Sequence, residues 1–414
     1  MKINKTSILN LSLRGLSMGA RFLLIFYLGK FFSTDDLGLY GLFFTTVTLG
    51  LFLLGLDFYT YSNREVLYVK EEDRFSILRN QLVFYGFTYL VFLLPMLLIF
   101  FYHVLPTEYI YIFYGILILE HLSQEFYRLF TILSYPIFAN WLLFLRSGIW
   151  IYILLIYYLI NPIAEYSLSL VFTGWIMGAG LSVALGFVRI LSLYKVYTLK
   201  PMKLSWFITG LKVSAFYFLS TVALKVIEFA NRYIIEYWCD LKSLGVFTFY
   251  SQIANMINVI IFTLFLMVIY PKLIIAVNEK NDAEFMRLKN FITKKVLVYS
   301  LALGLVMCVL IHPILAFINK PEYQSQILTF YVLVIANIFL NISLVYHYVL
   351  YAFKKDVSLF VLTALCSVSS MIFNIVLISS FGILGASLAL LLSYLVLTIT
   401  KYFYAKQSES SLKT

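Results

Sequence analysis

The sequence predicts an all-α polytopic membrane protein of about twelve transmembrane helices, built as two six-helix bundles related by a parallel internal repeat. Three observations predict this. First, hydrophobic residues make up 62% of the 414-residue chain and charged residues 12%, with a mean hydropathy of +0.92, about half the charge fraction of a soluble protein. Second, apolar stretches of about 20 residues, each long enough to cross a bilayer as a helix, recur along the whole length. Third, motifs in the first half return in the same order in the second. The alternating pattern of a membrane β-barrel is absent.

The expected spans are 7–29, 38–61, 81–102, 109–131, 139–160, 167–190, 212–235, 244–270, 295–317, 325–351, 357–378 and 383–402. The first is expected to stay in place as a span, because it is too long for a cleaved leader, carries Arg14 and Arg21 and lacks a small-residue cleavage site. Pro95, in the middle of the third span, is expected to kink it. On the sixth span Gly174, Gly178, Ser182 and Gly186 recur every four residues, and Gly15 and Gly19 do so on the first. Small residues at that spacing allow close helix contact. The two bundles are expected at 1–204 and 205–404, followed by a tail at 405–414.

Loop charge sets the orientation. One set of loops holds Arg64, Lys70, Arg74, Arg79, Lys195, Lys200, Lys203, Lys272, Lys280, Arg287, Lys289, Lys294, Lys295, Lys354 and Lys355, whereas the other holds only Lys30, Lys242 and Lys320. The positive-inside rule therefore places both termini in the cytoplasm. Reporter fusions at Ser33, Glu165 and Lys320 are expected to read as periplasmic, and fusions at Glu72, Lys200, Lys280 and Lys413 as cytoplasmic. A periplasmic signal at Lys280 would overturn the twelve-span topology. The net charge of +11 mostly reflects this bias. No concentrated basic patch points to nucleic acid.

The repeat is carried by residue pairs. Arg14 and Arg21 on the first span match Lys225 and Arg232 on the seventh, each pair seven residues apart. That is two turns, so each pair shares one helix face at about 10 Å along the axis. Leu37-Gly38-Leu39-Tyr40 opens the second span and Leu244-Gly245-Val246-Phe247 the eighth. His103 closes the third and His312 the ninth. Pro106-Thr107-Glu108-Tyr109 leads into the fourth and Pro321-Glu322-Tyr323 into the tenth. Six spans per half give a parallel repeat, with a substrate route between the halves.

A charge in hydrocarbon is costly, so the intramembrane cations must face protein, water or ligand. Arg14, Arg21, Arg146, Lys225 and Arg232 are the candidate substrate-binding residues. Arg146 serves equally as the partner of an acid on the fourth span. Arg232, near the outer end of its helix, has snorkelling as its alternative. Glu228 shares the face of Lys225 and Arg232, so an internal Lys225–Glu228 pair is the plainer reading there. The fourth span carries Glu120, His121, Gln124, Glu125 and Arg128. Glu120, His121, Glu125 and Glu228 are the candidates for ion coupling, because a buried carboxylate beside a histidine can take up and release protons. A structural Glu125–Arg128 pair is the alternative. His347 reads as a packing residue. The sequence shows no Gly-rich phosphate loop ending in Lys-Ser or Lys-Thr, no zinc motif and no nucleophile elbow. No cofactor or metal is expected, and Cys239, Cys308 and Cys366 form no metal or disulfide pattern.

The chain resembles the O-antigen or capsular polysaccharide repeat-unit flippases, the polysaccharide transporter family of the multidrug/oligosaccharidyl-lipid/polysaccharide exporter superfamily. The resemblance runs nearly end to end. In the first half it rests on Leu37-Gly38-Leu39-Tyr40-Gly41-Leu42-Phe43, Gly55-Leu56-Asp57 and Arg64-Glu65. In the second it rests on Asn231-Arg232-Tyr233-Ile234-Ile235, Leu244-Gly245-Val246-Phe247, Tyr270-Pro271-Lys272, Pro321-Glu322-Tyr323, and Asn374 followed by Phe381-Gly382-Ile383-Leu384-Gly385-Ala386-Ser387-Leu388-Ala389. It implies a transporter in the bacterial inner membrane that moves an undecaprenyl-diphosphate-linked oligosaccharide to the periplasmic leaflet by alternating access. It also implies a proton or sodium ion as coupling ion, and a polysaccharide polymerase and chain-length regulator as partners besides membrane lipid. Such proteins often carry an acid where this chain has Asn231, and Glu228 is the substitute one turn earlier. The residues agree with a diphosphate cargo, since Arg grips phosphate oxygens in a forked geometry. The rival readings are a same-fold exporter of lipid II, a teichoic-type precursor or a drug, and a polytopic polysaccharide polymerase or glycosyltransferase. A drug exporter needs an acidic cavity, and an enzyme a large outer loop or paired acidic motif, none of which is visible.

Overall fold

The computed structural model describes residues 5–161, 165–194 and 199–410, and every element in them is helical. The helices are α1 (Lys5–Phe31), α2 (Thr34–Gly55), α3 (Tyr59–Tyr68), α4 (Glu71–Phe92), α5 (Leu97–Phe101), α6 (Ile110–Ile132), α7 (Pro136–Phe144), α8 (Trp150–Ile160), α9 (Leu168–Leu193), α10 (Leu204–Trp238), α11 (Leu241–Ile261), α12 (Met267–Asn278), α13 (Asp282–Ile318), α14 (Pro321–Ser325), α15 (Ile327–Ala352) and α16 (Asp356–Ser410). Among the described residues, ten helical segments are long and apolar enough to span a membrane. The last of these, Asp356–Glu409, joins the two final expected spans across Gly382, where the backbone leaves helical geometry at φ 56, ψ −135. The fourth expected span is α6, which carries Glu120, Glu125 and Arg128. Counting α6 and dividing α16 at Gly382 restores the expected twelve.

Local chemistry explains the interruptions. Pro95 lacks an amide and clashes with the preceding turn; α4 stops three residues before it, and the chain resumes as α5 after a short turn. The third span thus runs as one segment, Glu71–Phe101, with its regular helix interrupted around Pro95. The second ends at Gly55, since Leu56 and Asp57 take left-handed φ values of 46° and 49°, and α3 continues outside the expected span. The fifth span is interrupted by a π-helical turn at Leu145–Ile149.

The chain forms two compact units, one comprising the chain up to Phe32 with Leu42–Phe218, the other Ser33–Gly41 with the chain from Leu219 onward. The division falls inside α10 because that helix is continuous and its first turns belong to the first unit. A Cβ at Gly210 would fall 2.4 Å from the Phe58 ring, and Trp206 meets that ring at 5.4 Å between centroids.

In the first unit, α9 presents its small residues to α6 and α8. A Cβ would fall 2.9 Å from Trp150 at Gly174, 2.5 Å from Trp150 at Gly178 and 2.4 Å from Phe126 at Gly186. Ser182 Oγ shares a 2.6 Å hydrogen bond with Ser123 Oγ. The stripe is thus a packing surface. The stripe on α1 is not, because a Cβ at Gly15 would meet nothing within 4 Å and one at Gly19 only the Tyr152 hydroxyl at 3.5 Å. Close packing there is corrected: spacing alone does not say which face meets a neighbour.

In the second unit, the start of α2 crosses the start of α11 through two glycines that the repeat alignment pairs. A Cβ at Gly38 would fall 2.1 Å from the Leu241 carbonyl oxygen, and one at Gly245 would fall 1.9 Å from the Thr34 carbonyl oxygen. The contact is reciprocal about the repeat, and only glycine allows backbones this close. Nearby, Lys242 pairs with Glu322 at 2.9 Å. The Glu322 carboxyl is held below its ordinary range by its own backbone amide and then by Lys242.

Candidate functional site

The candidate charged side chains of the first unit lie on α1, α6 and the π turn. Arg14 is half-buried on α1. Its Nε donates to Asn140 Oδ1 at 3.0 Å and an Nη to Tyr127 Oη at 3.1 Å. Asn140 in turn donates to Asn10 Oδ1 at 2.8 Å. Neutral acceptors on α7 and α6 thus orient the guanidinium. Arg21, two turns on, is exposed on the same helix.

Arg146 sits in the π turn, 7% exposed. Its Nε lies 3.4 Å from Glu120 Oε1, an ion pair whose alignment falls short of a hydrogen bond. Glu120 Oε2 accepts from Trp175 Nε1 at 3.0 Å. The turn's extra residue rotates Arg146 toward α6, and Trp150 Nε1 caps the Arg146 carbonyl at 3.0 Å. The structure thus realises the acid-partner alternative for Arg146.

Glu125 occupies a second buried polar centre. One carboxylate oxygen accepts from Tyr85 Oη at 2.7 Å and Gln81 Nε2 at 3.0 Å, and the other pairs with Arg128 at 2.5 Å. Arg128 lies 3.7 Å over the Tyr59 ring. His121, 1% exposed, shares a 2.7 Å hydrogen bond with Tyr89 through Nδ1 and packs edge-on against Tyr85. Its Nε2 is buried with no hydrogen-bond partner in the structure and sits 2.9 Å from where a Gly55 Cβ would lie. The glycine of Gly55-Leu56-Asp57 therefore gives the imidazole its room. Glu125 and His121 both meet this tyrosine-lined centre, whereas Glu120 belongs to the Arg146 pair.

In the second unit Lys225 pairs with Glu228 at 2.6 Å. Arg232 is buried at 6% exposure, so it does not snorkel. It donates to the Glu228 carbonyl at 3.1 Å and approaches Ser251 Oγ at 3.4 Å, with the rings of Phe229 and Phe247 at 4.9 and 6.0 Å. Both side-chain polar atoms of Asn231 are buried with no hydrogen-bond partner in the structure. Here the seventh-span cluster is an ion pair beside an arginine held by a carbonyl and aromatic faces.

Sequence reasoning missed Tyr85, Gln81, Tyr89, Trp175, Tyr127 and Asn140. Polar groups at span-interior positions were the available signal, but their faces were not readable.

The helices form an all-α fold of membrane-spanning segments in two compact units. The chain superposes on an inward-facing multidrug resistance MATE family transporter of the MOP superfamily, with TM-score 0.75 and 15% identity over 98% of both chains. It superposes on an outward-facing structure of a transporter so described with TM-score 0.66 and 16% identity, over 97% of this chain and 94% of that one. The lipid II flippase MurJ in an inward closed conformation matches with TM-score 0.70 and 18% identity, over 98% of this chain and 90% of that one. No protein-family profile matches the sequence, and no curated protein matches it. At these identities the likeness is one of fold.

Proposed function

We propose that the chain is a flippase of the bacterial inner membrane that carries an undecaprenyl-diphosphate-linked oligosaccharide from the cytoplasmic to the periplasmic leaflet by alternating access, for O-antigen or related surface polysaccharide. The observation that carries this reading is Arg14, held by the neutral Asn140 and Tyr127 with the exposed Arg21 two turns away. Two guanidiniums two turns apart on one helix suit a diphosphate, whose charge offsets the cost of keeping them in the membrane. The polyprenyl tail stays in lipid while the head group crosses. Lys225 and Arg232 supply the matching cations of the second half, and Arg146 supports the first-half cations through its Glu120 pair. The polymerase and chain-length regulator then act on the delivered unit.

Glu125 and His121 provide the coupling site, and the ion they suit is a proton. The Glu125 oxygens are taken by N–H and O–H donors from Gln81, Tyr85 and Arg128, whereas sodium needs several oxygen acceptors around it. Glu228, paired with Lys225, has the same role in the second half.

Lipid II is the second reading, favoured by the superposition on MurJ. The test is reconstitution into liposomes with fluorescent undecaprenyl-diphosphate oligosaccharide or lipid II, followed by membrane-impermeant quenching of the outer leaflet. Protein-dependent movement of the oligosaccharide lipid is expected. Movement of lipid II alone would replace the cargo, and movement of neither would remove the reading.

A further inference from the structure

The Glu125 centre touches both sides of a strained turn. Leu56 and Asp57, between α2 and α3, take left-handed φ values of 46° and 49°, a conformation that residues other than glycine adopt only at a cost. The turn is held against α4. Thr88 Oγ1 donates to the Leu54 carbonyl at 2.7 Å, and the buried Phe58 ring stacks on Phe84 at 3.8 Å between centroids. On the α2 side of the turn, Gly55 gives room to the His121 imidazole. On the other side, Tyr59, the first residue of α3, presents its ring to the Arg128 guanidinium at 3.7 Å. Among the described residues Arg128 has two partners, that ring and the Glu125 carboxylate at 2.5 Å.

The helix α3 is in turn fixed to the first turns of α10. Trp206 meets Phe58 at 5.4 Å and Tyr61 at 5.3 Å between centroids. A Cβ at Gly210 would fall 2.4 Å from the Phe58 ring and 2.7 Å from the Tyr61 ring, so the glycine is what lets α10 lie this close. Further along both helices, Arg64 reaches Tyr217 Oη at 3.4 Å. All of these residues belong to the first unit, and α10 runs on as one helix to Lys225, Glu228 and Arg232. A continuous series of contacts therefore joins the acid on α6 to the helix that carries the second pair of cations.

We propose that Tyr59 is the positioning residue through which protonation of Glu125 moves α3, and with it the start of α10, about the Leu56–Asp57 turn. The inference rests on the reading of Glu125 as the proton site and adds how that site acts. With Glu125 ionised, the Arg128 guanidinium is held between carboxylate and ring. When the carboxylate takes a proton from water, the ion pair is lost while the guanidinium keeps its charge, and the electron-rich ring face becomes its remaining partner. Arg128 and Tyr59 then move together, and the turn is where the backbone yields, because leaving its φ values relieves strain. Return of the proton to water restores the pair. The other titratable groups around the pair are Tyr85 and Tyr89 of α4, His121 of α6 and Asp57 of the turn.

The test uses the full chain in detergent, in a background without Cys239, Cys308 and Cys366. Nitroxide labels are placed at Tyr68→Cys on α3 and Phe87→Cys on α4, both exposed positions, and the distance between them is followed across the pH range in which the Glu125 carboxyl infrared band titrates. The distance distribution is expected to shift with that titration in the wild type and in Tyr59→Phe, which keeps the ring face. No shift is expected in Tyr59→Leu, although its Glu125 band still titrates. Glu125→Gln is expected to hold the low-pH distance at every pH. A wild-type shift in Tyr59→Leu, no shift in Tyr59→Phe, or a pH response that survives in Glu125→Gln would each overturn the proposal. If Tyr59→Leu fails to accumulate, Arg128→Gln takes its place, and a wild-type shift from it overturns the proposal equally. A titrating band with unmoved labels in the wild type would overturn this inference alone, whereas a Glu125 band that does not titrate would remove the proton reading and this inference with it. Neither measurement needs a cargo, so both are independent of which lipid is carried. Export should follow the same order at matched protein level, kept by Tyr59→Phe and lost by Tyr59→Leu, and wild-type export by Tyr59→Leu would show that Tyr59 only packs.

Discussion

Arg14→Ala and Arg21→Ala, each expressed at the wild-type level in a strain lacking the native gene, are expected to abolish surface polysaccharide. One hydrogen bond to a charged group contributes about 1.5–3 kcal/mol, which is about ten- to a hundredfold in affinity for each arginine. Arg14→Lys and Arg21→Lys should retain part of the export, because the charge remains while the fork is lost. The Arg14 case is sharpened by its neighbours. Asn140 and Tyr127 accept from two guanidinium nitrogens, so Asn140→Leu should reduce export by releasing the orientation while leaving the charge in place. Full export from both alanine variants, measured as surface polysaccharide at matched protein level, would remove the cationic binding role.

Removing one member of the Glu120–Arg146 pair should have the largest effect on stability. Each side chain is about 10% exposed or less, and a single substitution leaves the other charge buried without its counter-ion, which costs about 3–5 kcal/mol. Arg146→Met and Glu120→Leu should therefore each lower the amount of folded protein and its melting temperature in detergent. The double variant Arg146→Met/Glu120→Leu should recover most of both, since replacing a buried pair with apolar groups of similar volume is often neutral. Export then separates the roles. If the double variant exports normally, Arg146 is a structural partner only; if it is stable but silent, Arg146 also serves the cargo. A stable Arg146→Met single variant would contradict the coupling between the two residues.

The sequence was most readable where one residue settles the matter by itself. Pro95 interrupts the third span, as a residue without an amide can, although Pro271 and Pro313 stay inside α12 and α13. The apolar runs became spans because crossing hydrocarbon requires helix at that length, whatever packs around it. The match of Gly38 with Gly245 was readable as a repeat, and the two glycines stand in mutual contact. Gly15 and Gly19 show the limit: they carry the spacing of Gly174 and Gly178, but their face meets almost nothing.

The candidate site divides in the same way. Which residue types carry charge in the membrane was open to reading, and so was the presence of an acid, a histidine and an arginine together on α6. Their partners were not. Glu120 and Glu125 are five residues apart, yet one turns to Arg146 and Trp175 and the other to Gln81, Tyr85 and Arg128. A π turn, which had no sequence signature, rotates Arg146 into its pair.

The sequence by itself therefore determined the helical membrane class, the order of the spans and the inventory of buried charge, because hydropathy and the cost of charge in lipid act on each segment alone. The tertiary structure decided which charges pair and which glycines pack. Those outcomes depend on helix rotation and on contacts between residues far apart in the chain, and one turn of register or one π turn is enough to change them.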